Sequence, residues 1–250
     1  MLAEINAVWV GGPLGAIHAG CLRSFLRHGH RVTLHCYTPP EDLPDGVATY
    51  DASQLLPRED FIATDNGSLA LGSDRYRYRL IDAGFGLYVD CDVYCLKPVE
   101  DRPYIFGWEN FASVNGSILK YPPDSPLAVA LRHATARTDF VPWWWRRRDR
   151  YRLELRKRLG VPQSVASMPW GVWGPTLLTR EVRRLGLESE AAPIDLLHPL
   201  QGNMWPLLFD PDLCVADLVT SRSEMLHLCK HMFGNRPLVA GSPLAEIAGV

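Results

Sequence analysis

The sequence predicts an α/β fold: a mostly parallel central sheet flanked by helices, with a Rossmann-like start. Three observations predict it. Strand, helix and strand patterns follow one another within residues 5–37, the length of a parallel βαβ unit. A further strand-like run, Tyr88–Val93, follows the helical pattern of 67–82. The 250 residues are 47 % apolar and 22 % charged, ordinary for a globular chain and enough for one domain with a substantial core.

Each element has its own signal. Ile5–Val10 is apolar and is closed by Gly11-Gly12-Pro13, as a buried strand would be. Leu14, Ile17, Cys21 and Phe25 recur at helical spacing, and Gly29 within His28-Gly29-His30 can cap that helix. Arg31–Tyr37 alternates, with Val32, Leu34 and Cys36 on one face. Pro39–Gly46 reads as a loop, Val47–Tyr50 as a short strand, and 54–66 as irregular. Gly67–Asp82 is helical, with Asp74, Arg77, Tyr78 and Ile81 on one face and Leu69, Tyr76 and Leu80 roughly opposite. Tyr88–Val93 reads as one strand, closed by Leu96-Lys97-Pro98. Ile105–Glu109 and Val114–Lys120 are two further strands. Ser125-Pro126 is a helix start, with Ser as N-cap and Pro in the first turn, and that helix runs to about Arg137. A short helix spans Thr176–Leu185. No linker or repeat divides the chain, so one domain covers 1–250.

The bulk numbers exclude some partners. A formal net charge of −2 gives no reason to expect nucleic acid as principal partner. No apolar run reaches the ~20 residues that span a bilayer. Met1-Leu2-Ala3-Glu4 lacks the positive region of a signal peptide, which predicts a cytoplasmic chain. The six cysteines then read as buried thiols. Cys91 and Cys95 have no second pair at zinc-site spacing.

The stretch that carries chemistry is Tyr88-Val89-Asp90-Cys91-Asp92-Val93. Side chains alternate along a strand, so Asp90 and Asp92 leave on one side while Val89, Cys91 and Val93 enter a core. Two converging carboxylates suit a hard divalent cation, Mn²⁺ or Mg²⁺, that shares its oxygen ligands with phosphate.

Seventeen positions before Asp90 begins Ser73-Asp74-Arg75-Tyr76-Arg77-Tyr78, followed by Gly86-Leu87-Tyr88. Together these resemble the Ser-Asp-x-x-Arg-Tyr helix and Gly-x-Tyr-x-Asp-x-Asp strand of glycosyltransferase family 32. That family of DXD-containing sugar transferases includes bacterial capsule and lipopolysaccharide enzymes. A similar block occurs in the large clostridial glucosylating toxins. The resemblance covers roughly residues 5–180 and is strongest over 68–100. Where the family carries Gly-Gly, this chain has Phe85-Gly86, with Gly84 one place earlier.

The resemblance implies a GT-A type fold and a retaining, metal-dependent hexosyltransferase. Such an enzyme moves a sugar from a nucleotide sugar, most often a UDP-sugar, to a glycan or lipid-linked glycan acceptor. Residues up to about 120 would form the nucleotide-sugar and metal half, and 121–250 the acceptor half. It implies that Asp90 and Asp92 hold the metal and that His227, in Glu224–His231, is a third ligand, with Lys230 on phosphate. It implies that Asp74 and Arg77 orient the donor sugar, beside Tyr78 and Asn115. The nucleotide base would lie against Val8, Trp9, Val10 and Gly11, at the carboxyl end of the first strand. Trp170–Pro175 resembles the family's acceptor-side segment.

Plainer readings stand beside these. Gly11-Gly12 can be a tight turn and no more. Asp74 and Arg77 can be a surface i,i+3 ion pair. A lone histidine such as His227 can be structural. Three tryptophans beside three arginines, Trp143–Arg148, suit a peripheral contact at the inner membrane, an acceptor-sugar platform, or a core anchor that leads into a solvated helix. At the level of function, one alternative is a sugar-1-phosphate nucleotidyltransferase. It would carry basic residues in the loop after the first strand, and Gly11–Gly15 has none. The other is a non-catalytic sugar-binding subunit of a polysaccharide assembly complex.

Overall fold

A computed structural model describes all 250 residues, Met1–Val250. Its strands are β1 (Ile5–Trp9), β2 (Val32–Cys36), β3 (Ala48–Asp51), β4 (Leu87–Val89), β5 (Val93–Cys95), β6 (Ile105–Trp108), β7 (Val114–Lys120) and β8 (Met225–His227). Its helices are α1 (Gly15–Arg27), α2 (Ala70–Asp82), α3 (Pro126–Thr135), α4 (Arg147–Arg158), α5 (Pro175–Arg184), α6 (Ile194–Leu197) and α7 (Pro243–Ala248). Six strands form the main sheet in the order β3-β2-β1-β4-β7-β6, and β5 pairs with β8 in a separate ribbon. Neighbours from β3 to β4 are parallel, whereas β7 is antiparallel to β4 and β6. Every strand of the main sheet except β7 therefore runs the same way, and the α/β, mostly parallel reading of the sequence holds.

Alternation along the strands feeds two cores. Ala7, Leu87, Val89 and Ile118 pack with Leu22 and Phe25 of α1 on one face. Val8, Tyr88 and Leu119 pack with α2, α3, α5 and the fully buried Trp173 on the other. A sheet covered on both faces reads as near-continuous apolar strands, which is how β1 and β4 read. Burying each Leu, Ile or Phe contributes roughly 1.5–3 kcal/mol.

Local chemistry sets the helix ends. The first backbone N–H groups of α1, on Leu14 and Gly15, both donate to Asp42 of the loop after β2 at 2.7 Å. A carboxylate there satisfies orphan donors and matches the helix dipole. The chain leaves α1 through Gly29 at φ +81°, the left-handed conformation that glycine adopts without strain. Ser125 caps α3 by accepting from Ala128 N–H, with Pro126 in the first turn. Gly20 lets α1 touch α7: a Cβ there would sit 2.0 Å from the Ile247 carbonyl oxygen.

Two elements differ from the sequence expectation. The strand expected over Tyr88–Val93 is broken. β4 ends at Val89, and Val93 N–H donates to Asp90 C=O at 3.0 Å, closing a turn over 90–93. The chain must leave the main sheet, where Val89 pairs with Ile118, and join the ribbon, where Val93 pairs with His227. The turn makes that change. The helix over 67–82 begins at Ala70 and is buried on nearly every side, Asp74 and Arg77 included, because sheet, α3 and the 165–174 segment enclose it. Phe85, where the family pattern has glycine, packs its ring on His35 and Tyr50. No helix is long and apolar enough to cross a membrane.

Candidate active site at the β1–β4 switch point

After β1 the chain moves to β2 on one side, and β4 later fills the other. Open α/β sheets bind ligands beyond the carboxyl ends of strands at such a reversal. A cleft of about 490 Å³ opens there, lined among others by Val8, Trp9, Val10, Asp74, Arg77, Asp90, Asp92 and His227. A larger groove of about 800 Å³ lies at the opposite strand ends, around Met1, Glu4, Arg31 and Lys120. It brings together neither the carboxylate pair nor a histidine.

The 90–93 turn carries both carboxylates into the cleft. Asp90 Oδ1 accepts from Tyr88 Oη at 2.6 Å and from Arg77 at 3.1 Å. Tyr88 and Asp90 share a side because they are two residues apart on β4 and its extension. Asp92 Oδ1 lies 3.3 Å from His227 Nε2, and Asp92 Oδ2 accepts from Lys230 N–H at 2.8 Å. That amide is aimed by Cys229, the one non-glycine residue in the left-handed region, at φ 52°. One ligand atom from each of Asp90, Asp92 and His227 falls within 4.8 Å of the others. Glu109 and Cys229 group with His227 in the same way.

Burial sets the electrostatics. Burial alone would lift the Asp92 carboxyl, but His227 and the Lys230 amide hold it well below the usual carboxylate range. Burial alone would lower His227, but Asp92 raises it well above an ordinary histidine. The two form an ion pair. Asp74 is pushed up to about 7 by burial, with Arg77 opposing and Asp90 adding. Arg77 is only 7 % exposed and is held cationic by Asp90, Tyr88 and Asp74 against its burial. Its guanidinium also lies 4.8 Å over the Tyr88 ring.

Two close approaches need glycine. A Cβ at Gly174 would sit 2.7 Å from Asp74 Oδ2, and one at Gly116 would sit 2.8 Å from an Arg77 nitrogen. Gly174 precedes α5, so the Asp74 carboxyl rests against the start of that helix. No protein donor hydrogen-bonds Asp74; its one partner is Arg77, at 3.7 Å. The residue is buried, yet it lines the cleft.

Most of the residues expected in the site lie together. Asp74, Arg77, Asp90, Asp92, His227, Val8, Trp9, Val10 and Asn115 all line the cleft. Asn115 donates to Glu109 Oε1 at 2.9 Å. Three residues are placed otherwise. Tyr78 is in the core, its hydroxyl tying α2 to Trp173 C=O at 2.6 Å. The Lys230 ammonium turns away, to Gly234 C=O and the Phe233 ring, and only its amide reaches the site. Gly11 lies just outside the cleft lining, and Trp9 Nε1 instead donates to Gly12 C=O at 2.8 Å. Among the Trp143–Arg148 residues, Trp144 and Trp145 pack against the core, and Trp143 Nε1 donates to Glu181 at 2.8 Å.

Sequence reasoning missed His18, which lines the cleft and packs its ring 4.8 Å from that of Trp9. Its one available signal was a position in the first turn after a glycine-closed strand. The donor set fits a divalent cation. Two carboxylates and an imidazole are the ligand types of Mn²⁺ and, through its oxygens, Mg²⁺, and a bound cation would displace the His227 proton.

No protein-family model matches the chain, and no curated protein matches it in sequence. Among solved structures, the chain is similar to one described as "PaToxG Glycosyltransferase", with 11 % identity, a TM-score of 0.48, and coverage of 75 % of this chain and 72 % of that one.

Proposed function

We propose that the chain is a GT-A type glycosyltransferase that moves a hexosyl group from a nucleotide sugar, a UDP-sugar in the first instance, to a glycan or lipid-linked glycan. The observation that carries the reading is the convergence of Asp90, Asp92 and His227 beside the buried Asp74–Arg77 pair in one cleft. The motif resemblance to family 32 points the same way.

Asp90, Asp92 and His227 would hold Mn²⁺ or Mg²⁺, which as a Lewis acid supplies charge neutralisation for the leaving diphosphate. Arg77 and Tyr88 fix the Asp90 carboxylate in advance of binding. Asp74 accepts hydroxyls of the donor sugar, and the Arg77 charge faces the same volume. Val8, Trp9 and Val10 form the wall against which the base lies. The leaving phosphate oxygen takes the acceptor proton as the new bond forms on the same face of the sugar. The protein then contributes mainly orientation and preorganised charge.

Asp90→Asn and Asp92→Asn are expected to lower metal-dependent UDP release by at least ~100-fold and to weaken Mn²⁺ binding in calorimetry. The far-UV circular dichroism of the folded protein should be retained at assay temperature, even though loss of a buried charge pair lowers the melting temperature. Near-parental turnover in Mn²⁺ by either variant would reject the metal assignment. Donor binding without UDP release in any acceptor mixture would favour a sugar-binding subunit.

A further inference from the structure

α4 takes no part in the cleft, yet it holds most of the chain's unbalanced charge. Residues 146–158 contain seven arginines and one lysine against Asp149 and Glu154, a surplus of six positive charges in a chain of net −2. All seven arginines are exposed, and none makes an ion pair. Like charges three and four residues apart on a helix destabilise it. Asp149 and Glu154 at helical spacing and the Lys157–Asp139 pair offset only part of that cost, and six positive charges stay unbalanced.

The helix is also apolar on the side that faces water. It is anchored inward by Leu153 and by the Lys157–Asp139 pair at 3.1 Å. Opposite Leu153, Tyr151, Leu155 and Leu159 follow at intervals of four and are 68 %, 42 % and 68 % exposed. Arg147, Arg150 and Arg158 flank Tyr151 and Leu155 around a shallow groove of about 360 Å³. A polyanion such as nucleic acid would satisfy the arginines and leave this apolar line in water. A lipid headgroup layer takes both, phosphates on the cations and acyl boundary on the apolar line.

We propose that α4 seats the protein on an anionic phospholipid surface, with Tyr151, Leu155 and Leu159 entering the interface between flanking rows of arginine. This docking face is independent of the transfer reaction, since it shares no residue with the cleft. It shares only arginines with the contact expected at Trp143–Arg148, because Trp144 and Trp145 pack against the core and the apolar contact passes to Tyr151, Leu155 and Leu159.

The test is co-sedimentation of the full chain with phosphatidylcholine vesicles, with and without about 30 % phosphatidylglycerol, at about 0.15 M salt. Binding is expected only to the anionic vesicles. Arg147→Ala, Arg150→Ala and Arg158→Ala together should weaken it on the order of 100-fold, at roughly fivefold for each arginine. Leu155→Ser with Leu159→Ser should weaken it at least about tenfold while leaving retention on heparin unchanged. These positions are exposed, so circular dichroism melts should match the parent. Failure of the parent to bind anionic vesicles would overturn the proposal. So would a leucine pair variant that binds vesicles as well as the parent does, which would make α4 a general polyanion surface.

Discussion

Asp74 is a carboxyl that the fold holds at a cost. Burial pushes its pKa up to about 7, and only Arg77 at 3.7 Å offsets this. A group kept under those conditions with free oxygens suits a ligand's hydroxyls. Asp74→Ala is expected to weaken binding of the nucleotide sugar about 10–100-fold, the loss of one or two bonds to a charged acceptor, and to leave free UDP almost unaffected. Calorimetry with both ligands checks it; equal losses would make Asp74 structural. His35 gives a second, separate expectation. Its ring lies fully buried between Tyr76 Oη at 3.0 Å and Asn6 Oδ1 at 3.1 Å, and burial lowers its pKa to about 4. The folded imidazole stays neutral down to about pH 4, while an unfolded chain protonates it near 6.5. Stability therefore falls as pH drops through that window, by up to about 3 kcal/mol from this residue. His35→Gln should flatten the loss, and melts between pH 6.5 and 4 of the two proteins measure the difference.

At the scale of elements, the β1–α1–β2 unit was legible because its periods, glycine stops and cap positions are local signals. α3 was legible to its N-cap for the same reason. α2 was legible as a helix that ends at Asp82, but its burial was not, since a helix enclosed on nearly every side carries buried Asp, Arg and Tyr that periodicity assigns to a surface. The break after Val89 was hidden as well: Asp90 and Asp92 read as one pleat because nothing local announces a change of sheet. Lys230 was misjudged because its contribution is an amide, which no side-chain argument detects. The α1–α7 contact shows how small a tolerance these elements have. The Gly20→Ala Cβ would meet the Ile247 carbonyl oxygen at 2.0 Å, a backbone atom that no rotamer change can move. The helices must separate, and a loss of about 2–3 kcal/mol is expected in urea unfolding with little change in slope. An unchanged midpoint would mean that α7 is not held where it stands.

For the whole molecule, the proposed transfer is expected to retain the donor's anomeric configuration, as the resemblance to family 32 implies, and the acids of the cleft are compatible with that. Asp90 and Asp92 face His227, Asp74 lies beside Arg77, and Glu109 is the remaining acid of the cleft, engaged by Asn115 Nδ2 at 2.9 Å. An α-linked UDP-sugar should give an α-linked first product by proton NMR, and a β-linked product would promote Glu109 to general base. The same β5–β8 ribbon that gathers these groups has a consequence for how the protein is made. Val93 pairs with His227, so the two carboxylates and their imidazole are joined across 135 positions, from 92 to 227. At about 5–20 residues per second, a ribosome delivers His227 roughly 7–27 s after Asp92. During that interval the nascent chain can fold β1, α1 and β2, whose contacts are local, while the acidic turn waits as a bare pair. On the proposed function, cation capture by all three residues would thus be a late event of biosynthesis, open only to chains whose ribbon has closed.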